Sequence, residues 1–157
     1  MAELGTAASV LQIAGLGAEL CKLMWKSGND VRHANKDVDD IRTEVRSTSK
    51  ALESLGKFLQ QDEAEQSRAG AATLTDEARL ALADCLRNCR NAFAELENAL
   101  QSARRSTTYG GVTILAKWKW PLKKWGTQSM QAKLRGLTSV LSLMFQILEY
   151  ARKRELQ

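Results

Sequence analysis

Between Val31 and Leu59 the core-type residues fall at alternating steps of three and four without a break: Val31, Ala34, Val38, Ile41, Val45, Thr48, Leu52, Leu55 and Leu59. A strand repeats every second residue and a helix every 3.6, so this spacing predicts one long amphipathic helix over about 29–61. Eight of the nine positions are apolar and the opposite face is densely charged. A seam of this length cannot bury itself. It requires partner helices, as in a bundle.

Three further helical patterns supply the partners. Residues 3–27 are apolar almost all round. Leu4, Ala8, Leu11, Gly15, Ala18 and Cys21 hold a 3-4 spacing, and Val10, Ile13, Leu16, Leu20 and Leu23 widen the surface. Such a helix is either a central core element or bound for lipid. A third helix begins after Thr75, whose hydroxyl suits an N-cap, with Asp76 and Glu77 complementing the helix dipole. Its seam is Ala78, Leu82, Cys85, Cys89, Ala92, Leu96, Ala99 and Ala103. The fourth follows Thr127 as a candidate N-cap, with Met130, Leu134, Leu137, Leu141, Met144, Leu148 and Ala151 at 3-4 spacing. Residues 62–74 lack periodicity and read as a flexible connection. So does 106–126, which holds Gly110-Gly111 and Pro121 and has room for a short extra helix or turn. The chain is therefore expected to be all-α: a single-domain antiparallel four-helix bundle over 1–157. One proline in 157 residues argues against a many-stranded alternative.

The net charge of +5 is unevenly placed. No Asp or Glu occurs between Glu97 and Glu149, a stretch carrying eight basic residues, while the remainder sums to −3. A localised basic segment points to an anionic partner or to a solvated loop. Within it, Lys117-Trp118-Lys119-Trp120-Pro121-Leu122-Lys123-Lys124-Trp125 gathers three of the four tryptophans and four lysines. Indole rings favour the membrane interface and lysines favour anionic headgroups. The same composition suits single-stranded nucleic acid, or tryptophans covering one end of the bundle. Lipid docking through Arg104, Arg105, Lys117, Trp118, Lys119, Trp120, Lys123, Lys124 and Trp125 is weighted above nucleic acid.

The first helix adds to the lipid reading. Leu4 to Ala18 is uncharged, and Glu3 with no basic residue before Lys22 argues against a secretory signal. Leu4, Val10, Leu11, Ile13, Leu16 and Leu20 are the candidate membrane-insertion residues. Glu3, Glu19 and Lys22 oppose full insertion unless they lie at an interface or line an oligomeric pore. Ala14 and Ala18, and Gly17 and Cys21, would permit close helix contact in a membrane.

Catalytic chemistry finds no foothold. His33 is the only histidine, on a charged stretch, and the glycines never form a phosphate-binding loop. Asp37, Asp39, Asp40 and Glu44 read as a solvated helix face. No enzyme, metal site or cofactor is expected. Cys21, Cys85 and Cys89, odd in number and on helix faces, read as buried thiols in a reducing compartment.

The run Ala7-Ala8-Ser9-Val10-Leu11-Gln12-Ile13-Ala14-Gly15-Leu16 resembles the apolar start of fungal HeLo-like domains, the N-terminal domains of many fungal STAND (NOD-like) receptors. Trp120-Pro121-Leu122-Lys123-Lys124 is similar to their W-P-[FL]-K-K turn. Leu134, Leu137, Thr138, Leu141, Ser142 and Leu143 resemble their last helix. The resemblance covers most of the chain, although the tryptophan-rich surroundings and the Gly-Gly insertion depart from the usual pattern. It implies a helical bundle that executes regulated cell death, similar in logic to the bundle of the necroptosis pseudokinase. A nucleotide-binding or amyloid-signalling regulator would oligomerise the bundle. It would then move from the cytoplasm to the plasma membrane and permeabilise it. A non-lytic adaptor that binds protein partners is the alternative.

Overall fold

The computed structural model describes residues 6–28, 35–69, 75–107 and 124–155, which form four α-helices: α1 (Thr6–Gly28), α2 (Asn35–Ala69), α3 (Asp76–Thr107) and α4 (Lys124–Glu155). Consecutive helices α1 and α2, and α3 and α4, run antiparallel: Ala7 meets Glu63 while Ala14 meets Ser49, and Lys133 meets Glu95. The fold is the expected all-α four-helix bundle.

Its lateral order is not that of a simple up-down ring. α2 packs on both α1 and α4, and α3 packs on both α4 and α1. Arg135 reaches Glu44, Thr138 reaches Thr48, Phe145 reaches Phe58 and Arg152 reaches Glu65, so α2 and α4 lie side by side and parallel. The α1–α2 and α3–α4 pairs are laid next to each other, with α2 and α3 on opposite corners of the bundle.

The seam read from α2 is the spine of the core. Val38, Ile41, Val45, Thr48, Leu52, Leu55 and Leu59 are all buried. Val31 and Ala34 lie outside the described residues. On α3, Leu82, Cys85, Leu86, Cys89, Ala92, Phe93, Leu96 and Leu100 face inward; on α4, Met130, Leu134, Leu137, Leu141 and Leu148 do so. Thr48 sits in this apolar spine because its hydroxyl has partners. It donates to the Glu44 carbonyl (2.9 Å) and lies 2.7 Å from the Thr138 hydroxyl.

Several boundaries differ from the sequence reading. Residues 62–69 are helical, not a flexible connection. They lack an apolar stripe, but Gln, Glu, Ala and Arg are good helix formers, and side chains there have tertiary partners. Asp62 is buried, Glu63 caps α1, and Glu65 pairs with Arg152. Residues 106–107 complete α3 and 124–126 open α4; the rest of 106–126, with its suggested extra helix or turn, lies outside the described residues, as does 70–74. Thr127 is therefore inside α4 and buried rather than its N-cap. Thr75 does cap α3: the Ala78 N–H donates to its hydroxyl at 3.1 Å.

The inward face of α1 also differs. Ala7, Val10, Ile13, Ala14, Gly17, Leu20 and Met24 are buried, whereas Ala8, Gly15 and Ala18 are exposed. A helix apolar on every side offers periodicity no means of choosing its core stripe.

Candidate functional site: helix α1 and the basic end of the bundle

Small residues bring α1 close to its neighbours. A Cβ on Gly17 would lie 3.0 Å from both the Phe93 ring and the Ser49 Cβ. One on Gly56 would lie 2.6 Å from the Leu11 side chain. The Ser49 hydroxyl donates to the Ala14 carbonyl at 2.8 Å, tying α2 to α1 through a backbone atom. At the far end the Ala7 N–H donates to Glu63 Oε1 (3.1 Å). This satisfies one of the orphan donors of the α1 N-terminus with a negative charge, which the helix dipole favours. α1 has no acidic residue in its own first turn, so α2 supplies the cap.

The candidate insertion residues separate into groups. Val10, Ile13 and Leu20 are core residues. Leu11 is half-buried against Gly56, and Leu16 is 45% exposed. Leu4 lies outside the described residues. The stretch Thr6–Met24 is long and apolar enough to cross a membrane, yet 39% of it is buried inside the bundle. Both readings of α1 thus meet in one helix: a core element whose composition also suits lipid. Withdrawing it would expose Val10, Ile13, Leu20 and Met24, costing about 6–12 kcal/mol by transfer energetics. That is comparable with the entire stability of a small domain, about 5–15 kcal/mol. Any release of α1 needs a strong compensating interaction.

Four of the candidate docking residues fall within described helices, at one end of the bundle. Arg104 and Arg105 lie in the last turns of α3, and Lys124 and Trp125 open α4. Their side chains lie outside the described residues, as do Lys117, Trp118, Lys119, Trp120 and Lys123 altogether. The helix directions place the C-terminus of α1 at this same end and its N-terminus at the opposite one. Twenty-three helical residues span roughly 35 Å. The basic end and the Glu63-capped start of α1 are thus a bundle length apart.

The cysteines are free, with Cys85 and Cys89 buried and Cys21 half-buried. The hydrogen bond with Cys85, together with burial, pushes the Cys89 thiol up. Burial also raises Cys21, against the opposing pull of Arg46 and Arg42. Cys21 and Cys89 are unreactive packing thiols at neutral pH, whereas the hydrogen bond with Cys89 draws the buried Cys85 thiol down against the effect of burial. Among the described residues no three His, Cys, Asp or Glu side chains gather where they could hold a metal ion.

The sequence reading missed an exposed apolar stripe on α4, comprising Val140, Leu143, Ile147 and Tyr150. Their 3-4 spacing was there to be seen beside the core seam of the same helix. Compared with known proteins, the chain matches no family model, no curated protein and no solved structure.

Proposed function

We propose that this bundle is a membrane-targeting, self-associating cell-death effector domain. In this reading α1 inserts and the Trp/Lys-rich segment docks on anionic lipid. The observation that carries the reading is α1 itself: a helix with no acidic first turn, capped by a carboxylate from another helix, and uncharged on the face it leaves outside until the exposed Glu19–Lys22 pair. The W-P-L-K-K turn and the acid-free segment around it support the docking role.

In this reading the helix directions imply an order of events. Docking through the basic end brings the C-terminus of α1 to the lipid first. Insertion then requires the Glu63 cap and the Ser49 bond to be given up at and towards the far end. Self-association at the membrane would supply part of the compensation.

The adaptor reading has one observation in its favour. Val10 and Ile13 are fully buried, which favours a bundle that keeps α1 and works through its outer faces. Dye release from vesicles containing phosphatidylserine separates the two. Replacing Lys117, Lys119, Lys123 and Lys124 by Glu is expected to abolish both vesicle sedimentation and release. A wild-type protein that neither sediments with such vesicles nor releases dye would leave the adaptor reading in place.

A further inference from the structure

Among the described residues six large apolar side chains are exposed, and four of them lie on one line of α4: Val140 (43%), Leu143 (57%), Ile147 (57%) and Tyr150 (65%). Together with Gly136 they step by four, three, four and three. α4 therefore carries two apolar seams, one facing the bundle core and one facing outward. No charged residue occurs from Gly136 to Leu148, an unusual stretch for the solvent side of a surface helix. The outward seam continues into a groove between α3 and α4, lined by Ala78, Ala81 and Leu82 opposite Met144 and Leu148.

The residue types name the occupant. In heptad terms Val140 and Ile147 take the a positions, and Leu143 and Tyr150 take d. β-Branched side chains at a with leucine at d favour two-stranded parallel coiled coils. We infer that the outward seam of α4 is a homodimer interface, packing in parallel against α4 of a second copy about a twofold axis along the helix. In such a pair the g positions of one helix flank the e side of the other. Here the e side of α4, carrying Met144, is walled by α3. The g residues Ser139 and Gln146 are uncharged and would lie over Ala81 and Ala78. Lys153, the next g residue, would reach the start of α3, where Asp76 and Glu77 stand exposed. None of these three charges has an ion-pair partner among the described residues. The arrangement is self-complementary, as a twofold interface requires.

The seam names the surface for the self-association that the proposed function invokes and to that extent rests on that reading, but it needs no lipid. Sedimentation velocity of the full chain over a wide concentration range, without detergent or vesicles, tests it. The expected result is a reversible dimer. Leu143→Glu with Ile147→Glu should give a monomer at every concentration, with its circular dichroism unchanged because both positions are exposed. Tyr150→Cys tests orientation without relying on the charged variant. In the parallel dimer it cross-links to its counterpart on oxidation, above the background set by the native cysteines. A wild-type chain that stays monomeric throughout, a double variant that dimerises as tightly as wild type, or a dimer in which Tyr150→Cys fails to cross-link overturns the inference. A monomeric wild type that still releases vesicle dye overturns this seam alone. A dimer that never touches vesicles overturns the membrane reading alone.

Discussion

The Ser49 hydroxyl on α2 donates to the backbone carbonyl of Ala14 on α1, and Gly17, one turn further along α1, lies directly against the Ser49 Cβ. One small polar residue thus both bonds α1 and sets how closely it approaches. Ser49→Ala removes the bond and keeps the spacing, so a loss of about 0.5–1.5 kcal/mol is expected. Ser49→Val also pushes methyl groups towards Gly17 and should cost a further 1–3 kcal/mol or so. Urea denaturation of the three proteins gives the ranking, and equal midpoints for the two variants would contradict it.

Two glycines of α1 should respond to alanine with opposite signs. Nothing lies within 4 Å of a Cβ on Gly15, so Gly15→Ala gains helix propensity, up to about 1 kcal/mol. At Gly17 the new methyl meets Phe93 and Ser49 at 3.0 Å, and both are buried. Overpacking of about 1–3 kcal/mol then outweighs the same propensity gain. Thermal melts should move up for the first variant and down for the second.

Stability should fall in mild alkali. The hydrogen bond between Cys85 and Cys89 shifts those two thiols in opposite directions. Cys21 holds its proton more tightly in the folded chain than in the unfolded one, because burial outweighs the pull of Arg46 and Arg42. Its contribution is complete below the unfolded thiol value near about pH 8.5 and declines as pH rises above it. The unfolded chain sheds this proton there while the folded chain keeps it. Such a thiol lowers stability by up to about 1.4 kcal/mol per pH unit in that range. Urea titrations under reducing conditions, at neutral pH and one unit above the thiol range, should show the drop. Cys21→Ala should show a shallower slope.

The bundle was legible because α2, α3 and α4 each combine an apolar stripe with a charged back. Leu52, Leu55 and Leu59 could face only one way. α1 lacks that contrast, so its inward face could not be chosen from spacing. The core residue Ala14 and the exposed Gly15 are adjacent and equally small. The last two turns of α2 were missed because Glu63 and Glu65 are fixed by α1 and α4, contacts that local periodicity does not encode. The parallel placement of α2 beside α4 rests on pairs some 90 residues apart, such as Thr48 with Thr138. The candidate docking segment was read from composition, and that composition remains its support.

Release of α1 is the central claim, and deleting the helix would test it poorly, since Val10, Ile13 and Leu20 belong to the core. A reversible tether is sharper. A Cβ at position 56 would lie 2.7 Å from the Leu11 Cγ, which puts the two Cβ atoms within the range a disulfide spans. Dye release from anionic vesicles by Leu11→Cys/Gly56→Cys should be abolished when the bond is formed and restored by dithiothreitol. Equal release from the oxidised and reduced protein would show that α1 can stay docked on α2 while the membrane is breached, and would contradict the account.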